Sequence, residues 1–208
     1  MPITINGSGT ITGLAVGGLP DGSVDADTLA ADAVTTNKIA NSAVTSVKAS
    51  GLGISMIDSW RLTTSPSYGN NGNQTGFQAA TNMNSSSLGS ALTYNSGDAT
   101  FSFPSTGHYL ILFTARFYLS SGNDSAANID IQATTDNGSS FTRAAMLSYG
   151  AQEGDTRSSS TGHFCFDVTN TTNCRFKIVT HSMGGSSHTS GDTNENQTYF
   201  QVIRLSDT

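Results

Sequence analysis

The apolar positions of the chain fall into two textures. From about residue 54 onward, short apolar runs alternate with turn clusters at roughly 8–15-residue spacing, the pattern of an all-β sandwich. The runs predict strands near 57–63, 76–80, 91–94, 99–103, 107–119, 127–135, 141–148, 161–168, 174–181 and 197–205. In the longest of these, Tyr109, Ile111 and Phe113 alternate with Leu110 and Leu112, so both faces of one strand are apolar and each needs a cover. Asp136, Asn137 and Gly138 read as a hairpin turn between 128–131 and 141–144. A second hairpin is expected around Thr171, which sets Phe166 opposite Phe176, Phe164 opposite Ile178 and Val168 opposite Cys174. That register packs Cys174 as a small hydrophobe and points Cys165 the other way, so two free thiols are expected. The Gly-, Ser- and Asn-rich segments 65–75 and 183–196 read as exposed loops.

The first fifty residues look different. Ile3, Ile5 and Ile11 alternate with polar residues in a strand-like opening that is too poor in apolar groups to fold alone. From 21 to 51 the sequence repeats with a period of ten: Val24, Val34 and Val44 coincide, as do Thr28, Lys38 and Lys48, and Leu29, Ile39 and Ala49. A repeat means one structural unit used several times, and a unit this short cannot bury its own apolar side chains. One reading is a disordered linker. The recurrence of Val24, Leu29, Val34, Ile39 and Val44 in register favours a stalk held together by copies from other chains. The expected organisation is therefore a segment 1–20, a stalk 21–51 and a β-domain 52–208.

Composition narrows the classes. Ser, Thr, Asn and Gly make up close to half of the 208 residues and Glu occurs only twice, which excludes a helical bundle. All ten Phe and all six Tyr lie after residue 60, so the aromatic core belongs to the β-domain. The net charge is −6 and no Lys/Arg cluster exists, which argues against a nucleic-acid partner. No apolar run is long enough for a membrane-spanning helix, and the opening residues do not read as a secretory leader.

Candidate chemistry is sparse. Glu153 and Glu195 sit in polar segments, and no two carboxylates share an apolar frame of the kind glycoside hydrolysis uses. No Gly-x-Ser-x-Gly elbow occurs. His181 and His188 flank one loop with Asp192 nearby, but the spacing is not a metal-ligand pattern and reads as a solvated loop. No catalytic residue, cofactor or metal is expected. Recognition has other candidates: Tyr68 and Tyr149, set among Gly, Asn and Ser, either stack on sugar faces or anchor their loops against the barrel edge, and Arg157 either takes part in carboxylate recognition or, the better reading, forms a surface ion pair.

Two resemblances follow. The stretch containing Phe101, Phe103, Pro104, Gly107, Tyr109 and Phe113 resembles the signature of the tumour-necrosis-factor-like jelly roll, with Ile111 where a middle aromatic stands. The closing run from Tyr199 to Leu205 resembles that fold's last strand, so the likeness covers about residues 55–208. The opening MPITINGSGTITGLAVGGLPDGSV, the repeats, and the run from Ile57 to Thr63 resemble virion fibre proteins of marine and cyanobacterial tailed phages, over the first 63 residues.

The resemblances imply an all-β protein with a jelly-roll knob on an extended repeat stalk. They imply a homotrimer, attached to other virion proteins through its N-terminus and to a host surface glycan or protein through its knob. The expected role is a non-enzymatic tail fibre or spike on the exterior of a phage particle. Alternatives are a capsid-attached head fibre or decoration protein and a polysaccharide-degrading tailspike; the missing leader argues against a secreted ligand of the same fold. In this reading Phe101, Phe103, Tyr109, Ile111, Phe113, Phe164, Phe166, Phe176 and Tyr199 form knob core or trimer contacts. Val24, Leu29, Val34, Ile39 and Val44 associate the stalk, and Tyr68, Tyr149, Arg157 and His188 serve the receptor loops.

Overall fold

A computed structural model of the protein describes residues 53–81 and 87–207, and before them 4–5, 11–12, 29, 31, 33–41 and 43–44. The chain divides into two units, Met1–Ala49 and Ser50–Thr208. In the first, β1 (Thr4–Ile5) pairs antiparallel with β2 (Ile11–Thr12). The repeat is visible in the backbone: bends at Leu29 and Ile39, turns at Ala31 and Asn41, and bends at Val34 and Val44 each recur ten residues apart. A 3-10 turn at Thr36–Lys38 is closed by the Lys38 ammonium donating to the Ala33 carbonyl at 2.6 Å. Leu29, Val34, Ile39 and Val44 are all exposed in the single chain. Val24 lies outside the described residues, as does most of the expected segment 1–20.

The second unit is a two-sheet jelly roll. Its strands are β3 (Met56–Leu62), β4 (Gly72–Asn73), β5 (Phe77–Ala79), β6 (Thr93–Asn95), β7 (Thr100–Ser102), β8 (Gly107–Leu119), β9 (Asp124–Thr134), β10 (Thr142–Ala151), β11 (Thr156–Val168), β12 (Arg175–His181), β13 (Ser187–Thr189) and β14 (Tyr199–Ser206). One sheet runs β11-β8-β14-β3-β5, with β13 also on β8; the other runs β10-β9-β12-β7-β6, with β4 also on β12. Every pairing is antiparallel.

The period-two pattern of the sequence becomes the sandwich interior. Along β8, Tyr109, Ile111, Phe113, Ala115, Phe117 and Leu119 are buried, while the residues between them face outward. Facing them from the other sheet are Ile129, Ile131, Phe176 and Ile178. Phe101 is the hub of the aromatic core. It stacks on Phe176 at 5.1 Å, meets Phe200 edge-on at 4.8 Å, and touches Trp60, Tyr94 and Phe77. Trp60 is fixed by its indole N–H donating to the buried Asp58 carboxylate, which also accepts from the Leu92 amide.

Of the residues expected in the core or at a trimer contact, Phe101, Phe103, Tyr109, Ile111, Phe113, Phe166 and Phe176 are buried in this interior. Phe164 is only partly buried, at the core's margin, and Tyr199 faces outward from β14. The hairpin at Asp136 forms between β9 and β10, with Asn137 and Gly138 both at positive φ, as a primed turn requires. The Asp136 carboxylate organises this turn. It accepts from the Ser140 hydroxyl and amide and from the Thr134 hydroxyl, and these bonds, Ser140 foremost, hold its pKa down to about 2.

Two expectations fail. The hairpin expected around Thr171 is not one: β11 pairs with β8 and β12 with β9, so the turn carries the chain from one sheet to the other. Phe166, Val168, Cys174 and Phe176 still share a face, because inward residues of both sheets point into one core. The segments 65–75 and 183–196 are not simply exposed loops either. They supply β4 and β13, and bury Gln74, Ser187 and Thr189. Gln74 donates to Thr180 Oγ1 at 2.8 Å and accepts from Thr189 at 3.1 Å, so hydrogen bonds compensate the burial of polar groups that an apolar pattern does not reveal.

Two tests follow from this packing. Phe101→Ala removes a ring in contact with five others and is expected to destabilise the fold by about 3–5 kcal/mol, read from denaturant unfolding. Both cysteines are free, Cys165 exposed and Cys174 buried. A thiol reagent is expected to label Cys165 in the folded protein and to reach Cys174 only on unfolding; rapid native labelling of both would contradict this core.

Candidate functional site

The outward face of the β8 sheet is built in rows, because the register of five strands aligns side chains across it. One row is apolar: Ile57 on β3, Ile203 on β14, Leu110 on β8, and Cys165 on β11. The next holds Ser59, Gln201, Leu112 and His163, with Gln201 donating to Ser59 at 3.1 Å. Then come Gln78 on β5, Arg61, Tyr199, Thr114 and Thr161. Leu110, Leu112 and Ile203 are each only half-buried, so among the described residues the second cover that the alternation of β8 demands is incomplete.

At one end of this face the register brings distant parts of the sequence together. Tyr118, near the end of β8, is paired with Arg157 on β11 and with His188 on β13. The Arg157 guanidinium lies 4.4 Å over the Tyr118 ring, and the His188 ring meets Tyr118 edge-on at 5.3 Å. Tyr68 completes the group from the loop before β4, 4.5 Å from His188 and 6.4 Å from Tyr118. Its loop is fastened to β13 by the Gly69 amide donating to the Ser187 carbonyl at 2.8 Å. Asn71 accepts from the Met183 amide at 2.9 Å and donates to the Met183 carbonyl. Gly69 is required there: its φ is +67°, and a Cβ would stand 3.2 Å from Gly185 Cα.

The electrostatics of the group are specific. Asp155 accepts from both Arg157, at 3.1 Å, and the Tyr118 hydroxyl, at 3.3 Å. Lost solvation and then the Asp155 carboxylate push the Tyr118 phenol above its ordinary pKa. Burial holds the His188 imidazole below its ordinary value, and its Nδ1 is buried without a partner. The result is an exposed aromatic platform, with Tyr68 nearly half exposed, edged by a guanidinium and a carboxylate. Such a platform can stack on the apolar face of a sugar or a planar group and hydrogen-bond at its rim.

Three of the four expected recognition residues, Tyr68, Arg157 and His188, therefore meet at one place. Tyr149 does not join them. It lies on β10 with its ring stacked on Phe117 at 5.4 Å, buried in the core, because the bulge between Arg143 and Ala145 sets the phase that turns Leu147, Tyr149 and Ala151 inward. Tyr118 is the member that sequence reasoning missed. Its outward parity on the long strand was the available signal. His181 lies elsewhere, on β12, 3.0 Å from the buried Asp130 carboxylate, which also pairs with Arg143 at 2.6 Å. Among the described residues, no three His, Cys, Asp or Glu side chains converge as a metal site would require.

Among solved structures, the chain is similar to the Eiger TNF of S. frugiperda, with a TM-score of 0.56 at 12% identity, over 74% of this chain and 94% of that one. The fold is a TNF-like jelly roll. At this identity the likeness is one of fold, and it agrees with the signature around Phe101, Gly107 and Tyr109. No family model and no curated protein matches the sequence. In this TNF-like jelly roll the platform stands on the β8 sheet, at the end where β8, β11 and β13 meet.

One prediction concerns pH. His188 is held neutral by burial, so its contribution to stability is complete above its unfolded pKa, about 6.5, and is lost as pH falls through the lower folded value. Thermal melts of the wild type are expected to decline more between pH 7.5 and 5 than those of His188→Gln. Identical pH profiles would refute the assignment.

Proposed function

We propose that the chain is a non-enzymatic virion structural protein: a trimeric fibre or spike of a tailed phage whose knob adheres to the host surface. The observation that carries this reading is the convergence of Tyr68, Tyr118, Arg157 and His188 on one exposed spot. Stacking with polar edging is a binding chemistry, and it fits a surface glycan.

Trimerisation is supported by two independent needs for cover. The stalk presents Leu29, Val34, Ile39 and Val44 to solvent at intervals of five residues. The knob leaves Leu110, Leu112, Ile203 and Tyr199 half-covered on the outward face of the β8 sheet. Closed rotational association of like chains covers both at once. Knobs held together also raise the effective concentration of three weak stalks, and three platforms multiply a weak contact per chain. In this reading the first residues attach to the particle, and the platform faces outward from it.

The test is binding of fluorescently labelled protein to host cells and to a panel of their purified surface glycans. Tyr118→Ala and Tyr68→Ala are expected to lower apparent affinity tenfold or more, while Thr172→Ala, on the turn between β11 and β12, leaves it unchanged. Binding that survives both tyrosine substitutions would remove the platform from the function, and release of new reducing ends would replace adhesion by depolymerisation.

A further inference from the structure

Strands β10 and β11 are the outermost strands of their two sheets and lie against one another along one edge of the sandwich. Over most of that edge the interior is filled. Tyr149 stacks on Phe117, and Leu147 packs over Gly162 so closely that an added Cβ would stand 2.8 Å from its Cδ2. Towards the β9–β10 turn the filling stops. Only the small Ala133 and Ala144 stand there with Phe164, and a cavity of about 300 Å³ remains. The bulge of β10 forms part of its wall: Arg143 is opposite Gln132 and Ala145 opposite Ile131, which leaves Ala144 between them without a partner on β9.

The lining is apolar on one side and hydroxylated on the other. Phe164 is half-buried and brings a ring, backed by Phe166 at 5.5 Å. The hydroxylated side holds Thr134, Thr135, Ser140 and Thr142. The Thr134 and Ser140 hydroxyls are taken up by the Asp136 carboxylate. Those of Thr135 and Thr142 form no hydrogen bond among the described residues, so both stay open to a ligand. Arg143 is the charged group of the lining, and its charge is already compensated, since Nε donates to the buried Asp130 carboxylate at 2.6 Å. The cavity therefore offers an ionic ligand no unmatched partner. Its volume falls at the lower end of small-molecule sites, which combine apolar walls with a few polar groups that fix orientation. A ring beside open hydroxyls suits a sugar, whose C–H face packs on the aromatic while its hydroxyls donate and accept.

We propose that this cavity binds a single uncharged sugar residue, as a site separate from the tyrosine platform. Phe164 and Arg157 are seven residues apart on β11, about 20 Å of strand, and point to opposite faces of it. The platform reading and the cavity reading therefore stand or fall on different residues.

The test is saturation-transfer difference NMR on the full chain with glucose, galactose, mannose and N-acetylglucosamine, and with glucuronate as the charged control. It is run in a Tyr68→Ala/Tyr118→Ala background, so that the platform contributes nothing to the signal. At least one neutral sugar is expected to bind, and more tightly than glucuronate. Ala144→Leu fills the cavity and is expected to abolish that binding. Thr142→Val keeps the shape, removes an open hydroxyl, and is expected to lower affinity about two- to tenfold. Thermal unfolding of each variant checks that it is folded.

Absence of any neutral-sugar signal in this background overturns the proposal, and leaves the platform to be judged on the tyrosine substitutions alone. Binding that survives Ala144→Leu overturns it as well. If Ala144→Leu does not fold, Thr142→Val decides, and unchanged affinity there overturns the proposal. Glucuronate binding as tightly as the neutral sugars overturns the assignment of an uncharged ligand.

Discussion

The strict two-residue alternation of β8 is the constraint on which the rest of the knob depends. This strand pairs with β11 on one side and with β14 and β13 on the other, so its phase sets the phase of its sheet. A slip of one residue would carry Tyr109, Ile111, Phe113 and Phe117 out of the core and bring Arg116 and Tyr118 into it. The same parity that fills the sandwich therefore mounts Tyr118 on the opposite face, between Arg157 and His188. Core and candidate site are two sides of one ladder. A substitution that disturbs the register is felt at both.

The inner side of that ladder was legible in the sequence because it is written in apolar residues. Tyr109 to Phe113, Phe164 to Val168 and Phe176 to Ile178 alternate plainly, and their strands fall where the pattern places them. The connection at Thr171 was misread for a related reason. In a two-layer sandwich, inward residues of both layers point to the same interior. A turn that crosses between sheets therefore preserves the apolar parity of a hairpin, and only long-range pairing distinguishes them. The polar elements were illegible in a different way. β13 reads Ser, His, Thr, and is buried by hydrogen bonds to Gln74 and by pairing with β8 rather than by apolar content. Without β13, the meeting of His188 with Tyr118 cannot be seen from the sequence.

Tyr149 and Tyr68 show how little local composition decides for an aromatic. Both are surrounded by small polar residues. One enters the core, where it lies flat against Phe117, because a bulge in β10 precedes it. The other stays outside because Gly69 and Asn71 tie its loop to residues 183–187, leaving the ring over His188. Strand phase and loop tethering, neither of them local properties, place the two rings.

The abundance of Ser, Thr, Asn and Gly takes a different meaning in each unit. In the knob these residues clothe a dense aromatic core and satisfy the backbone around the platform. In the described part of the repeat they leave Leu29, Val34, Ile39 and Val44 exposed, one large apolar side chain every fifth residue. Exposed apolar groups in the repeat and half-covered ones on the β8 sheet create the same demand for cover. Nonpolar surface supplies that demand but specifies register poorly, since sliding one Leu past another costs little. A polar group that is expensive to leave unpaired is what selects one alignment among many.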